Sequence, residues 1–178
     1  YGGLWHFGLK KTASTFMFLD QGADSGDLLS QESVDIAFED DASSLYDKLV
    51  LTASNQVKSF LPQLENATYS RYPQEHSAAN YWRKRTKLDG VIDWRMSATH
   101  IYNMIRALTK PYIGAHFMFA ESEVKVWKAG LVDVPSAENI EPGKVLAVDA
   151  RGLRVKCGQG VIELVEYDKC NIKEGSYL

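Results

Sequence analysis

From residue 116 onward, apolar and polar residues alternate in short runs, at 116–120, 123–132, 144–149, 152–157 and 161–166. Glycines and Pro142 stand between them. Successive side chains of an extended strand face opposite ways, so a period of two marks a sheet with one face buried. Five such runs in succession predict a small, mostly antiparallel β-barrel or sandwich. No helix-length apolar stripe interrupts them, and this limits the last third of the chain to β structure.

The residues before this point follow a different rhythm. Leu45, Leu49, Val50, Ala53, Val57, Phe60, Leu61 and Leu64 recur at helical spacing and read as core, with Asp40 or Asp41 as the cap. Pro62 is expected to end or kink that helix. A second helix is predicted over 98–108, capped by Ser97, with Ile101, Met104, Ile105 and Leu108 on one face. Strands are predicted at about 14–19 and 28–36, and the end of a helix at 4–11. Between the helices, residues 66–93 are polar, mixed in charge and without a period. Such a stretch serves as a binding loop or a linker. The division is an α/β part over 1–95 and an α-then-β part over 96–178.

The two early strands enclose Asp20-Gln21-Gly22-Ala23-Asp24-Ser25-Gly26-Asp27, three carboxylates and two glycines in one loop. Asp and Gly favour turns for conformational reasons, so a solvated turn is one reading. The other is a carboxylate placed at the ends of strands for proton transfer, Asp24 and Asp27 raising each other's affinity for a proton. Trp82-Arg83-Lys84-Arg85 is the densest positive cluster. Arg offers a planar fork to a phosphate or diphosphate, and Trp can stack on a base. The competing reading pairs these cations with Asp89 and Asp93.

Composition removes several classes. A net charge of −3 gives no general field for nucleic acid. Cys157 and Cys170 lack metal-ligand spacing and read as reduced thiols. His6, His76, His100 and His116 are scattered and read as structural or surface residues, so no metal is expected. No Gly-rich phosphate loop follows a strand, and no nucleophile elbow is present. No apolar run approaches a membrane span and no secretory signal is visible, so no membrane partner and a cytoplasmic location are expected. Tyr1-Gly2-Gly3-Leu4-Trp5 reads like a chain entered in its middle.

A series of segments, taken in order, resembles one family. Ala23-Asp24-Ser25-Gly26-Asp27-Leu28-Leu29-Ser30-Gln31 resembles the catalytic-loop motif of N10-formyltetrahydrofolate-dependent formyltransferases. Residues 40–49 are similar to the helix that follows it. Tyr81-Trp82-Arg83-Lys84-Arg85 with Asp89-Gly90-Val91-Ile92-Asp93-Trp94 looks like the segment leaving the catalytic domain. Ile105-Arg106-Ala107-Leu108, Pro111-Tyr112-Ile113-Gly114-Ala115 and Lys125-Val126-Trp127-Lys128-Ala129 resemble the start of the C-terminal β-barrel domain. The fold implied is the C-terminal half of a Rossmann-like formyltransferase domain, followed by a small OB-like β-barrel.

Within the family the Pro-Tyr-x-Gly-Ala form and the Arg-Lys-Arg cluster resemble the sugar N-formyltransferases. The resemblance implies formyl transfer from N10-formyltetrahydrofolate to an amino sugar on a nucleoside diphosphate, for surface polysaccharide. Asp24 matches the family's catalytic Asp, with Gly26 beside it in the folate-facing loop. Arg83 and Arg85 would hold the diphosphate, with Trp82 and Tyr112 lining the acceptor pocket. The family's Asn-x-His motif, which supplies the oxyanion donors, has no counterpart before Asp24. This implies either the C-terminal portion of a longer enzyme, inactive alone, which is the favoured reading, or a degenerate relative. A homodimer is a further expectation. The alternatives are methionyl-tRNA formyltransferase, a folate-dependent hydrolase, and a non-catalytic OB-like binding module.

Overall fold

The structure is a computed structural model that describes residues 8–134 and 139–178. Its residues cluster into two compact units. One comprises Leu9–Asp40 with Ser44–Lys84, and the main body of the other is Arg85–Leu178. His6 and the first residues of the helix end expected at 4–11 lie outside the described residues.

In the first unit, β1 (Lys11–Met17) pairs antiparallel with β2 (Leu28–Asp35). Lys11 faces Asp35 across the ladder and Phe16 faces Ser30. Lys11 therefore opens a strand and does not close a helix. Burial alternates along β1, and the ladder satisfies the backbone of its polar residues. Tyr72 extends the pairing: Leu28 N donates to Tyr72 O at 2.7 Å and Tyr72 N to Leu28 O at 3.0 Å. Strand pairing in this unit is antiparallel.

Helix α1 (Ala42–Glu65) covers the hairpin. Asp40 is buried and receives Ala37 N (2.7 Å), Ser44 Oγ (2.9 Å) and Lys48 Nζ (2.5 Å), holding the chain at the helix entrance. Leu45, Leu49 and Phe60 are buried, and the Phe60 ring meets Phe16 edge-on at 4.9 Å. Gln56, on the same face, donates to Ser14 O (3.2 Å) and Ser30 Oγ (2.9 Å).

The expected core stripe was too broad. Val50 (47% exposed), Val57 and Leu61 stand in solvent, because at about 100° per residue they occupy a face adjoining the buried one. Pro62 does not end the helix either. It sits in the last turn, where its missing N–H removes only one bond. Asn66 then closes the end, its N and Nδ2 donating to Pro62 O at 3.1 and 2.8 Å.

In the second unit, α2 (Ala98–Leu108) begins where the Ser97 side chain accepts His100 N. Five strands follow: β3 (Ala115–Phe119), β4 (Ser122–Val132), β5 (Val145–Asp149), β6 (Gly152–Lys156) and β7 (Val161–Tyr167). They pair in the order β3-β4-β7-β6-β5, every ladder antiparallel. β3 and β5 remain edges, so pairing leaves the sheet open and the expected barrel is not closed.

Ala120 and Glu121 join β3 to β4, both with positive φ, as a two-residue hairpin turn requires. The core joins Ile101 and Ile105 of α2 to Phe117, Val126, Val155 and Leu164 of the sheet, with Trp94 against Phe117. Between Val126 and Ala129 the β4–β7 register slips. Val124 and Val126 are inward before the slip, and Ala129 packs on the core after it.

Trp127 is half-buried. Its Nε1 donates to Asp168 Oδ1 at 3.1 Å, and the same carboxylate accepts Lys125 N at 3.2 Å. His116 is buried in β3, 3.8 Å from Glu123. The thiols of Cys157 and Cys170 are free. No helix among the described residues is long and apolar enough to cross a membrane.

Candidate functional site

The loop from Phe18 to Asp27 is built from the inside. Phe18 N donates to Asp27 O at 2.9 Å and closes its base. Asp20 folds over its own backbone, its Oδ1 accepting Gly22 N (2.9 Å) and Ser25 Oγ (2.7 Å). The Ser25 hydroxyl, then the Gly22 amide, hold the Asp20 carboxyl below the ordinary carboxylate range.

Asp24 stands at φ 56°, the left-handed region that Asp enters more readily than most residues. Gly26 is required by packing: a Cβ there would fall 1.8 Å from the Phe18 carbonyl oxygen. That accounts for the glycine without any ligand.

The segment after α1 returns to brace the loop. Arg71 Nε donates to Asp27 Oδ2 at 3.1 Å, and its guanidinium lies 4.1 Å over the Phe18 ring. The sequence reading set Asp27 against Asp24 as neighbouring carboxylates; in the structure a guanidinium takes Asp27. Gln74 Nε2 donates to Asp24 O (2.9 Å) and Gly26 O (2.6 Å).

A cavity of about 530 Å³ opens between the loop and this segment. Asp24 and Ser25 form one side; Gln74, His76, Tyr81 and Trp82 lie on the other. It is large enough for a small organic molecule. Two of the residues named from sequence, Asp24 and Trp82, thus share one cavity. Arg83 belongs to the same unit, next in sequence to Trp82. Arg85 and Tyr112 belong to the second unit. There Arg85 lies 3.7 Å from Asp89, and Tyr112 is 40% exposed. Asp93 is taken by Arg95, which holds its carboxyl down at about 2.

His76, read from sequence as structural or surface, lines the cavity. Gln74 and Tyr81 line it too; Gln74 carried no sequence signal of its own, and Tyr81 entered only as the first residue of the family-like segment 81–85. The one available clue was the length of the irregular segment that contains them.

Comparison with known proteins adds a family to this geometry. The formyl transferase C-terminal domain matches residues 84–174, about half of the chain. Methionyl-tRNA formyltransferase of Ruminiclostridium cellulolyticum is 35% identical over 159 residues, 89% of this chain and 51% of that protein. HypX from Aquifex aeolicus superposes with a TM-score of 0.72 at 18% identity, over 90% of this chain and 28% of that one. The N-formyltransferase from Helicobacter canadensis, solved with folinic acid and dTDP-3-aminofucose, gives 0.66 at 18% identity, over 91% and 58%. These two likenesses concern the fold alone. The chain spans about half the length of the methionyl-tRNA formyltransferase it matches.

Proposed function

The chain belongs to the formyltransferase family, and we propose that it is the C-terminal part of an enzyme that formylates a nucleotide-linked amino sugar. N10-formyltetrahydrofolate is the proposed donor. The observation that carries this reading is the shared cavity: a carboxylate, Asp24, and an aromatic, Trp82, face the same space.

In formyl transfer an amine attacks the formyl carbon and a tetrahedral oxyanion forms. The amine nitrogen must lose a proton, and the donor nitrogen must gain one. Asp24 is suited to accept the first, directly or by orienting an upstream histidine that this chain does not contain. The half-exposed Trp82 ring offers a stacking face for a base. Arg83 is assigned to the diphosphate, and Arg85 and Tyr112, which belong to the second unit, carry their substrate-binding assignment from the family resemblance alone. The resemblance places folate-binding residues upstream, outside this sequence. The enzyme is placed in the cytoplasm, in line with a folate co-substrate.

A second reading has its own support. The 35% identity to methionyl-tRNA formyltransferase favours a charged tRNA as acceptor. The net charge of −3 speaks against it, since binding tRNA draws on a positive surface.

The experiment supplies the intact enzyme with N10-formyltetrahydrofolate and offers a dTDP-linked 3-amino sugar or methionyl-tRNA. Formylation of the sugar with Asp24→Asn down at least a hundredfold is the expected result. Formylation of the tRNA alone would overturn the acceptor assignment. Full activity of Asp24→Asn would overturn the role of Asp24.

A further inference from the structure

The amide of Gln74 reaches back fifty residues in sequence to the loop that carries Asp24. One nitrogen, with two hydrogens, serves two carbonyls: Asp24 O at 2.9 Å and Gly26 O at 2.6 Å. The residue between them in sequence, Ser25, is tied to Asp20. The same stretch of chain adds the Arg71–Asp27 pair and the Tyr72–Leu28 backbone bonds. Segment 71–74 therefore grips the loop at Asp24, Gly26, Asp27 and Leu28.

Among the described residues of this segment, it is Gln74 that hydrogen-bonds the backbone of Asp24 itself. A residue at positive φ stays there when its surroundings over-determine it, and the Asp24 carbonyl is one of the groups that fix this peptide. A side-chain amide can give two hydrogens to two carbonyls; a carboxylate gives none, and a thioether gives none.

We propose that Gln74 is the positioning residue of this site: its amide fixes the backbone of Asp24 and so sets where the carboxylate stands in the cavity. The proposal rests on the reading of Asp24 as the proton-handling group. Gln74 need not touch the reacting atoms, and its effect falls on the chemical step. Misplacing a catalytic group by about 1 Å can cost about a hundredfold in rate.

The test compares Gln74→Met and Gln74→Glu with wild type in the intact enzyme. Gln74→Met keeps the length and removes the donors. It is expected to lower kcat between about ten- and a hundredfold while KM for both substrates stays within about twofold. Gln74→Glu is expected to match it at neutral pH. As pH falls toward the carboxyl range, the protonated acid regains one O–H donor, so its kcat relative to wild type should recover while that of Gln74→Met does not. Hydrogen exchange of amides 20–28 should quicken in Gln74→Met, with the β3–β7 sheet unchanged.

Wild-type kcat in Gln74→Met, beside an inactive Asp24→Asn enzyme, would overturn the proposal. So would a pH profile identical for the two Gln74 variants. If Asp24→Asn is itself fully active, the catalytic reading has failed and loop exchange decides alone. Faster exchange then supports the grip on the loop, and unchanged exchange refutes it.

Discussion

Gly26→Ala puts the packing of the Phe18–Asp27 loop to a numerical test. The new methyl would stand 1.8 Å from the Phe18 carbonyl oxygen and 2.8 Å from its carbon, where ordinary contact begins at 3.4 Å. The two ends of the loop must therefore separate by about 1.6 Å, the difference between 3.4 and 1.8. Both are backbone, so no rotamer can absorb the move. The Phe18 N to Asp27 O bond lies beside the clash and would be lost or stretched.

Losing that bond costs about 1 kcal/mol and overpacking about 1–3 kcal/mol, so the first unit should lose about 2–4 kcal/mol in stability. The same displacement reaches Asp24 two residues away, and the expected loss in kcat is a hundredfold or more. Gly22→Ala is the control in the same loop. Its Cβ would meet the Ser25 side chain, Oγ at 2.1 Å and Cβ at 3.1 Å, and the hydroxyl can rotate away at the cost of its bond to Asp20. It should lose far less rate and stability. Urea denaturation and steady-state formyl transfer on the intact enzyme give the two numbers. A Gly26→Ala enzyme with wild-type kcat and stability would refute the packing argument.

Two further expectations concern charge. Burial raises the Asp40 carboxyl; Lys48, Ala37 N and Ser44 outweigh it and hold the group below its ordinary 3.8. A depressed carboxyl contributes stability above its unfolded value and loses it as pH falls through the folded one. Asp40→Ala should thus cost about 2–3 kcal/mol at pH 7, and the gap from wild type should close below about pH 4; urea curves at several pH values check this. Burial pushes the Cys157 thiol up to about 12, so it should resist iodoacetamide at pH 8 until the second unit unfolds, with mass spectrometry counting the adducts.

The β half of the chain was legible because period-two alternation is local, and the strands begin and end within a few residues of where Val124, Val126, Leu153 and Ile162 place them. The Ala120–Glu121 turn carried no glycine or asparagine, so its left-handed residues were invisible in advance. The helix stripe was overread because Val50, Val57 and Leu61 keep helical spacing from one another whether or not anything covers them. The loop around Asp24 stood out through Asp, Gly and the family motif. Gln74 did not, since its role depends on contacts fifty residues away, and sequence spacing records only near neighbours.

The slip between Val126 and Ala129 works like a change of reading frame within one strand. Before it the even-numbered side chains face the core, and after it the odd-numbered Ala129 does. Two stretches of opposite parity thus share one continuous strand, with Asp168 fastened across the junction. Deleting a single residue there would restore plain alternation, with Val126 and Ala129 two apart and both still facing the core, and would leave β7 one residue longer than β4 between the Val126–Tyr167 and Ala129–Leu164 pairs. The extra residue at this junction is therefore what lets β4 keep step with β7 while both of its stretches share one core face.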